Sequence, residues 1–529
     1  MRNSSPAKSL RRARFEHYCE RQDMKTKTGN ENLFAVLEGR FPRSLDTCCL
    51  ETPEGLNYTW RDLLRASARL ANLTKALGLR PGARVAVQVE KSPEALMLYL
   101  ASLRAGLIFL PLNTAYQAGE IDYFIGNAKP ELVVCSSERL AWVEPIARRH
   151  GVKHVLTLGA NRDGTLLAAA APHADEFQTV SRRPEDLAAI LYTSGTTGRS
   201  KGAMLSHGNL ASNARTLQRY WGWRRGDVLL HALPIFHVHG LFVAVHGALY
   251  NASKMIWLAR FDPAAVIRQL PRATVFMGVP TMYVRLLDEP GFDRQCCAGM
   301  RLFISGSAPL RTETFEEFER RAGMRILERY GMSETIMLTS NPCAGERIAG
   351  TVGKPLPGVE LRIVDDNGKP CGPGETGVIQ VRGPNVFRGY WRMPAKTRSE
   401  FTADGFFRTG DVGQFDANGY VRIVGRNRDL IITGGYNVYP KEIETIIDEL
   451  PGVLESAVIG LSDRDFGEAV AAVVVPRPGA TLDAQALIAS LRSSIAGYKV
   501  PRRIFIVPEL PRNAMGKVQK NILRDSYAQ

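Results

Sequence analysis

The chain alternates short apolar segments with amphipathic helical segments through its first two thirds, and this pattern constrains the fold more than any other feature. Helical patterns lie at 93–104, 119–127, 263–270 and 312–321. Strands are predicted around them at 84–89, 107–112, 132–135, 154–158, 188–193, 228–233, 254–258, 274–277 and 302–305. Because strands that alternate with helices form βαβ units, we expect stacked, largely parallel βα sheets that bind ligands at their strand ends.

Two changes of pattern divide the chain, whose 529 residues exceed what one hydrophobic core organises. After Gly353, alternating strands separated by Gly, Pro and Asp turns predict a β-barrel-like subdomain. From residue 426 onward, helices and strands predict a separate small α+β domain. We therefore expect an α/β protein with an N-terminal domain at 31–425, a C-terminal domain at 426–529 and a disordered extension at 1–30.

Charge and cysteine spacing restrict the partners and the compartment. The net charge of +15 comes from scattered rather than clustered arginines, which favours attraction to polyanionic small molecules over nucleic-acid binding. No apolar run is long enough for a membrane span, and the oligomeric state stays open. Eight cysteines without a Cys-x-x-Cys motif indicate a reducing compartment, which is the cytoplasm, or the mitochondrial matrix if the basic segment before Met24 is a presequence.

A segment rich in glycine and hydroxyl groups, at residues 192–202, follows a strand and predicts a phosphate-binding loop. Glycine permits turns that aim several backbone N–H groups at one point, and hydroxyls and cations add donors for a polyanion. The spacing is not that of a Walker motif, and a flexible surface connection is the structural alternative. The residues expected to bind phosphate are Thr193, Ser194, Gly195, Thr196, Thr197, Gly198 and Lys201.

Three further segments carry side chains suited to a nucleotide. Small residues at Ser307 and Ala308 end a strand and leave room for a flat ring. In the segment 328–335, Tyr330 offers an aromatic face and Glu334 a carboxylate suited to a phosphate-bound Mg²⁺, although this segment could also be a strand ending in a turn. Asp411 lies in a turn where it could accept two ribose hydroxyls or simply cap the turn.

Taken together in this order, the segments resemble the adenylate-forming superfamily of acyl-CoA synthetases, luciferases and peptide-synthetase adenylation domains. The resemblance spans essentially residues 33 to 527 and implies ATP, Mg²⁺ and coenzyme A as ligands. It implies that Thr196, Thr197 and Lys201 grip the ATP phosphates, and that Glu334 holds Mg²⁺ with Thr193. The further residues implied to bind the nucleotide are Ser307, Ala308, Glu328, Tyr330 (stacked on adenine), Gly331, Ser333 (at the α-phosphate), Asp411 and Arg426 (both at the ribose).

The same resemblance implies two half-reactions and a mobile C-terminal domain. Lys517 matches the catalytic lysine, whose ammonium stabilises the negative charge that builds up on the α-phosphorus. Arg428 stands at the hinge position, where relatives commonly carry Lys or Asp. Coenzyme A is expected to enter along Gly434 and Gly435, whose structural alternative is a plain hairpin turn.

The identity of the acid rests on a narrower resemblance, to the malonyl-CoA synthetases. In that resemblance Arg285 binds the distal carboxylate of malonate through a guanidinium fork, His237 acts at the junction of ATP and acyl group, and His207 helps to line the pocket. A buried cation would reject acetate or fatty acids, which leave it unpaired, but would tolerate methylmalonate. The alternatives are a fatty-acid or aryl-acid CoA ligase of the same superfamily and, in another class, a basic nucleic-acid-binding or regulatory protein.

Overall fold

The computed structural model describes residues 29–193, 200–308, 310, 312–365, 367–426, 431–438, 440–511 and 518–528. Over these residues the chain forms four β-sheets surrounded by helices, which confirms the predicted α/β class. Among the residues described, every helix is too short or too polar to pass through a bilayer.

The first sheet contains six strands in the order β6-β5-β3-β4-β7-β8. All neighbours are parallel except β7 and β8, which form an antiparallel pair. The sequence did not predict β8, which follows the glycine-rich loop, because the strand is specified by its pairing with β7 rather than by a long apolar run. The strands are β3 (Arg84–Gln88), β4 (Ile108–Pro111), β5 (Leu132–Cys135), β6 (His154–Thr157), β7 (Leu187–Thr193) and β8 (Lys201–Ser206).

The second sheet has nine strands in the order β15-β14-β13-β12-β11-β9-β10-β1-β2. Its six central strands are parallel, whereas the edge pairs β1–β2, β13–β14 and β14–β15 are antiparallel. Neighbouring carboxyl ends therefore meet on one side, as expected for a ligand-binding edge. The strands are β1 (Cys48–Glu51), β2 (Asn57–Thr59), β9 (Val228–His231), β10 (Lys254–Trp257), β11 (Val275–Gly278), β12 (Leu302–Ser305), β13 (Leu327–Tyr330), β14 (Thr339–Ser340) and β15 (Lys354–Pro355).

The change of pattern after Gly353 corresponds to a four-stranded antiparallel sheet, β16-β17-β18-β19. A last sheet, in the order β21-β20-β23-β22 with β24 parallel to β23, belongs to the C-terminal part and has an apolar cluster on each face. These strands are β16 (Glu360–Val364), β17 (Gly377–Arg382), β18 (Phe407–Phe415), β19 (Val421–Arg426), β20 (Ile431–Thr433), β21 (Tyr436–Val438), β22 (Val453–Asp463), β23 (Gly467–Pro476) and β24 (Arg503–Ile506).

Helices pack on the sheets and begin where the sequence supplies caps. Ser92 accepts a hydrogen bond from the Ala95 N–H ahead of Pro93, which occupies the favoured first helical position. The helices are α1 (Leu33–Glu38), α2 (Trp60–Ala76), α3 (Pro93–Arg104), α4 (Ala118–Ala128), α5 (Leu140–Arg149), α6 (Thr165–Ala170), α7 (His207–Tyr220), α8 (His246–Tyr250), α9 (Pro263–Gln269), α10 (Pro280–Asp288), α11 (Thr312–Ala322), α12 (Pro394–Glu400), α13 (Pro440–Asp448), α14 (Ala484–Ser494) and α15 (Lys520–Tyr527).

Candidate active site

The ends of the predicted phosphate loop are held by the β7–β8 pair. Thr193 and Lys201 are direct cross-strand partners, so the two strands bring both ends of the loop together. Lys201 is buried, and its Nζ lies 4.8 Å from the centre of the Tyr390 ring. The loop residues Ser194, Gly195, Thr196, Thr197 and Gly198 lie outside the described residues.

Glu334 lies beside the same strand ends. Its Oε1 accepts a hydrogen bond of 3.0 Å from the Tyr390 hydroxyl and lies 3.5 Å from the Thr193 hydroxyl. Within the described part of the chain, no cluster of three or more His, Cys, Asp or Glu could hold a metal ion on its own. One carboxylate with a neighbouring hydroxyl nevertheless suits Mg²⁺, which usually takes one or two protein ligands and completes its shell with phosphate and water.

A cavity of about 420 Å³ is lined by most of the nucleotide-binding residues that were predicted outside the phosphate loop. The Tyr330 hydroxyl donates a hydrogen bond of 2.5 Å to Oδ2 of the buried Asp411, which fixes the orientation of the aromatic ring. Asp411 pairs across β18 and β19 with Arg426, so the two predicted ribose residues are backbone neighbours. The predicted residues that line the cavity are His237, Ser307, Ala308, Glu328, Tyr330, Gly331, Ser333, Asp411 and Gly435.

Two of these residues shape the wall of the cavity. A Cβ atom on Gly331 would lie 1.9 Å from the Ile336 carbonyl oxygen, so only glycine fits there. Glu328 is buried, and its Oε1 accepts a hydrogen bond of 3.1 Å from the Leu310 N–H. Burial raises the pKa of Glu328 to about 8, so its carboxyl group is mostly protonated at pH 7.

His237 connects this cavity with a smaller one. It lines both spaces, and the smaller is also lined by Thr193, Ser333 and Tyr436. Burial and, to a lesser degree, the nearby Arg329 charge lower the pKa of His237 to about 4. The imidazole is therefore neutral at pH 7 and can line or gate the junction without carrying charge.

His207 lines neither of the two cavities that His237 lines, and its assignment to the substrate pocket stays a prediction. It is fully buried at the first position of α7, and its Nδ1 accepts a hydrogen bond of 2.9 Å from the Leu33 N–H. Burial lowers its pKa to about 3. His207 therefore connects α1 to α7 within the core. The sequence did not predict this structural role.

Arg285 lies on α10 but is exposed, which contradicts the expectation of a buried cation at this position. The buried side of the amphipathic helix carries Tyr283 and Leu286, and Arg285 falls on the other side. It lines a separate cavity of about 260 Å³, together with Gly434, Phe466 and Tyr498. Its assignment to the malonate carboxylate stays a prediction.

The turn between β20 and β21 brings the C-terminal domain to the site. Gly434 and Gly435 have φ angles of 55° and 82°, and a Cβ atom on Gly435 would lie 3.1 Å from Cγ1 of Val279. The turn is thus a tight hairpin, as the structural alternative predicted, but one that reaches the N-terminal domain and lines the nucleotide cavity. Lys517 and Arg428 lie outside the described residues.

Sequence reasoning missed an ion cluster between the two domains. Lys499, only 1% exposed, donates hydrogen bonds of 2.7 Å to Glu120 on α4 and to Glu442 on α13. Burial alone would lower the pKa of Lys499, but Tyr498 and the two carboxylates outweigh it and raise the pKa well above its ordinary value. The lysine therefore stays charged and links the two domains.

The chain is similar to known protein families and to known proteins over most of its length. A family model described as AMP-binding enzyme matches residues 41–391, and one described as AMP-binding enzyme C-terminal domain matches residues 442–517. A malonate–CoA ligase of Arabidopsis thaliana is 34% identical, with 94% of this chain and 89% of that protein covered.

Two solved structures that contain bound ligands are also similar to this chain. The ATP-bound MatB of Rhodopseudomonas palustris is 53% identical over 94% of this chain and 99% of its own, with a TM-score of 0.75. A malonyl-CoA ligase in a ternary product complex with methylmalonyl-CoA and AMP is 36% identical over 90% of this chain and 100% of its own, with a TM-score of 0.78.

Proposed function

The chain belongs to the AMP-binding enzyme family, and on this basis we propose that it is an AMP-forming acid–CoA ligase that acts on malonate. The products would be malonyl-CoA, AMP and pyrophosphate. The observation that carries the proposal is the cavity of about 420 Å³ that joins Tyr330, Ser333 and Asp411 to His237. The similarity to malonate–CoA ligases over most of the chain supports the choice of acid.

In the first half-reaction, a carboxylate oxygen of malonate attacks the α-phosphorus of ATP. The bond from that phosphorus to the β-phosphate oxygen breaks, and pyrophosphate leaves. We assign Lys201 and the loop 194–199 to the phosphates, and Asp411 with Arg426 to the ribose, while the hydrogen bond to Asp411 holds the Tyr330 ring against adenine. Lys517 is proposed to stabilise the charge at the α-phosphorus.

The residues at the phosphate end fit a magnesium ion, which we propose as a cofactor. Glu334 would hold it, with the Thr193 hydroxyl 3.5 Å from its Oε1. Bound there, Mg²⁺ would neutralise charge on the phosphates during displacement. The hydrogen bond from Tyr390 keeps the Glu334 carboxylate in place, and Lys201 adds positive charge beside it.

In the second half-reaction, the coenzyme A sulfur attacks the carbonyl carbon of malonyl-AMP and AMP leaves with the bonding electrons. The thiol proton passes to solvent or to a phosphate oxygen, and no protein nucleophile is required. Gly434 and Gly435 are proposed to line the thiol route because their turn reaches the cavity. The domain movement about Arg428 that would separate the two half-reactions is part of the same proposal.

The proposed partners are the small molecules malonate, ATP and coenzyme A, with methylmalonate as a poorer acid. All seven described cysteines are free thiols, which fits our proposal of a reducing compartment, either the cytoplasm or the mitochondrial matrix.

A screen of coenzyme A consumption and AMP release tests the function. We expect malonate to give the highest kcat/KM, and methylmalonate a value lower by about 10- to 200-fold, since a pocket rejects one methyl group only weakly. Acetate, octanoate and an aryl acid serve as controls. A higher kcat/KM for octanoate or the aryl acid would favour the alternative fatty-acid or aryl-acid ligase.

A further inference from the structure

Helix α4 carries a stripe of contact residues along one face. The stripe follows the helical spacing i, i+3, i+4 and i+7, which brings its members onto the same side of the helix. Its members are Glu120, Tyr123, Phe124 and Asn127. From the first of these residues to the last the helix rises by about 10 Å, so the stripe is long enough to connect two parts of the molecule.

The first turn of α4 contacts the C-terminal domain. Both carboxylate oxygens of Glu120 are used: Oε2 accepts a hydrogen bond of 3.1 Å from the Gln117 N–H, which caps the helix, and Oε1 accepts one of 2.7 Å from Lys499. A Cβ atom on Gly119 would lie 4.0 Å from the Ser494 carbonyl oxygen, so the end of α14 packs closely against this turn. One carboxylate therefore holds both the beginning of α4 and the C-terminal domain.

The later turns of α4 contact the chain on both sides of the phosphate loop. The Tyr123 hydroxyl donates a hydrogen bond of 2.7 Å to the carbonyl of Ser200, the residue before β8. The Oδ1 of Asn127 accepts a hydrogen bond of 2.6 Å from the hydroxyl of Tyr192 in β7. The centre of the Phe124 ring lies 4.6 Å from that of the Tyr192 ring. The same face that meets the C-terminal domain thus holds the two strands that flank the loop.

The end of α4 is also joined to the residues assigned to Mg²⁺. The indole Nε1 of Trp391 donates a hydrogen bond of 3.2 Å to the Asn127 carbonyl, and its backbone N–H donates one of 2.7 Å to the Gly202 carbonyl in β8. The preceding residue, Tyr390, donates the hydrogen bond that orients Glu334. A shift of α4 would therefore reach the strand after the loop by two routes.

Under the proposed function, the two ends of this stripe are used at different times. ATP and then pyrophosphate occupy the phosphate loop during the first half-reaction. The Gly434 and Gly435 turn lines the cavities in this structure, which is the arrangement that the proposed function assigns to the second half-reaction, after pyrophosphate has left. An element that contacts both regions can make one state disfavour the other, and such coupling between two binding events is reciprocal.

We propose that α4 couples the phosphate loop to the position of the C-terminal domain, so that ATP at the loop and Lys499 at Glu120 disfavour each other. Because the helix is one stiff element, a shift of the flanking strands towards bound phosphate moves Glu120 relative to Lys499. Tyr123 and Asn127 are positioning residues, since they act on the loop through Ser200 and Tyr192. The inference rests on the proposed acid–CoA ligase function and deepens it by linking its two half-reactions.

The test measures the Kd for ATP with Mg²⁺ by titration calorimetry and introduces Glu120→Gln into three backgrounds. In the wild type we expect Glu120→Gln to lower the Kd by about fivefold, because a weaker contact with Lys499 releases α4. In Tyr123→Phe/Tyr192→Phe, which keeps both rings but removes both hydroxyl contacts, the same change should alter the Kd by less than about twofold. The control background is Tyr420→Phe, which removes a hydroxyl bonded to the Glu346 carbonyl away from α4, and there the fivefold change should persist.

An equal change of the Kd in all three backgrounds, or no change on Glu120→Gln in the wild type, would overturn the inference. If the double tyrosine variant does not fold, hydrogen exchange of the wild-type protein decides. The amides in the first turn of α4 should exchange faster when ATP and Mg²⁺ are bound, because the contact with Lys499 is then lost, and unchanged exchange would contradict the coupling. A wild-type protein that shows the coupling but activates no carboxylic acid would instead contradict the proposed function.

Discussion

The nucleotide side of the site and the interface with the C-terminal domain are built in different ways. On the nucleotide side, Glu334, Tyr390 and Asp411 contact residues of the same N-terminal domain. At the interface, Gly435 approaches Val279 and Lys499 contacts Glu120, so the contacts exist only while the two domains keep this arrangement. The contacts on the nucleotide side can therefore form before substrate binds, whereas the contacts at the interface depend on the position of the C-terminal domain. We therefore expect variants on the nucleotide side to slow the first half-reaction and variants at the interface to slow the second.

The largest effect is expected on the nucleotide side, from Glu334→Gln. The variant keeps the shape of the side chain but removes the charge that would hold Mg²⁺, so malonate-dependent ATP–pyrophosphate exchange should fall by about 1000-fold. Glu317→Gln, which changes a surface carboxylate paired with Arg320, is the matched control. Exchange that persists at more than a tenth of the wild-type rate would contradict the proposed role of Glu334.

At the interface, Gly435→Ala should affect mainly the second step. A φ of 82° strains any L side chain, and the added Cβ would press on Val279. We expect transfer from supplied malonyl-AMP to coenzyme A to fall about 30-fold, with ATP–pyrophosphate exchange nearly unchanged. Gly479→Ala has the same backbone strain at φ 81° but nothing within 4 Å of the added atom, so it should leave both rates intact. Equal losses in both steps would remove the distinction between the two regions.

A smaller effect is expected from Glu120→Gln, which removes one of the two carboxylates on Lys499. Because Glu442 still pairs with the lysine inside the C-terminal domain, the domain should fold normally while its hold on the N-terminal domain weakens. Transfer to coenzyme A should slow by about tenfold and pyrophosphate exchange should not. Glu144→Gln, on an exposed pair with Arg148, is the control. An unchanged transfer rate would mean that the cluster does not fix the domain arrangement.

The smallest effect on rate is expected from His207→Leu, which lies in neither region. Losing the acceptor leaves the Leu33 N–H unpaired and should lower the free energy of unfolding by about 1–3 kcal/mol, measured by urea titration at pH 7.5. The value of kcat should not change. A selective rise in KM for malonate would instead support the prediction that His207 helps to line the substrate pocket.

The lowered pKa of His207 also predicts that the stability of the folded protein depends on pH. Its folded-state pKa, about 3, lies below the ordinary value of 6.5, so between these values the unfolded chain binds a proton that the folded chain does not. The stabilisation is complete above pH 6.5 and is lost as the pH falls towards 3. His207→Leu should therefore lose less stability than the wild type between pH 7.5 and 5.

Much of the fold followed from local pattern. The helix Pro93–Arg104 and the strand Leu302–Ser305 have the predicted bounds, because period and caps are local properties. The strand Lys201–Ser206 was missed because its partner strand, not its composition, specifies it. Lys499 and Glu120 were missed because 379 positions separate them and no local signal marks a contact across domains.

The candidate site also contains some features that the sequence predicted and others that it did not. Tyr330 and Asp411 were predicted to bind one nucleotide, and the structure brings them into contact. A buried cation was predicted at Arg285, but helix periodicity turns this residue outward and leaves it exposed, so its role at the malonate carboxylate stays a prediction. Arg329 was not singled out from the sequence, although Glu328 and Arg329 are adjacent charged residues that the strand Leu327–Tyr330 buries.

The Lys499 cluster also has a consequence for how the chain is made. The ribosome synthesises Glu120 379 residues before Lys499, and at roughly 5–20 residues per second that interval is about 20 to 75 s. During this time the nascent N-terminal domain presents a carboxylate that the finished protein almost completely buries. Docking of the two domains through this pair therefore cannot be completed before Lys499 has been synthesised.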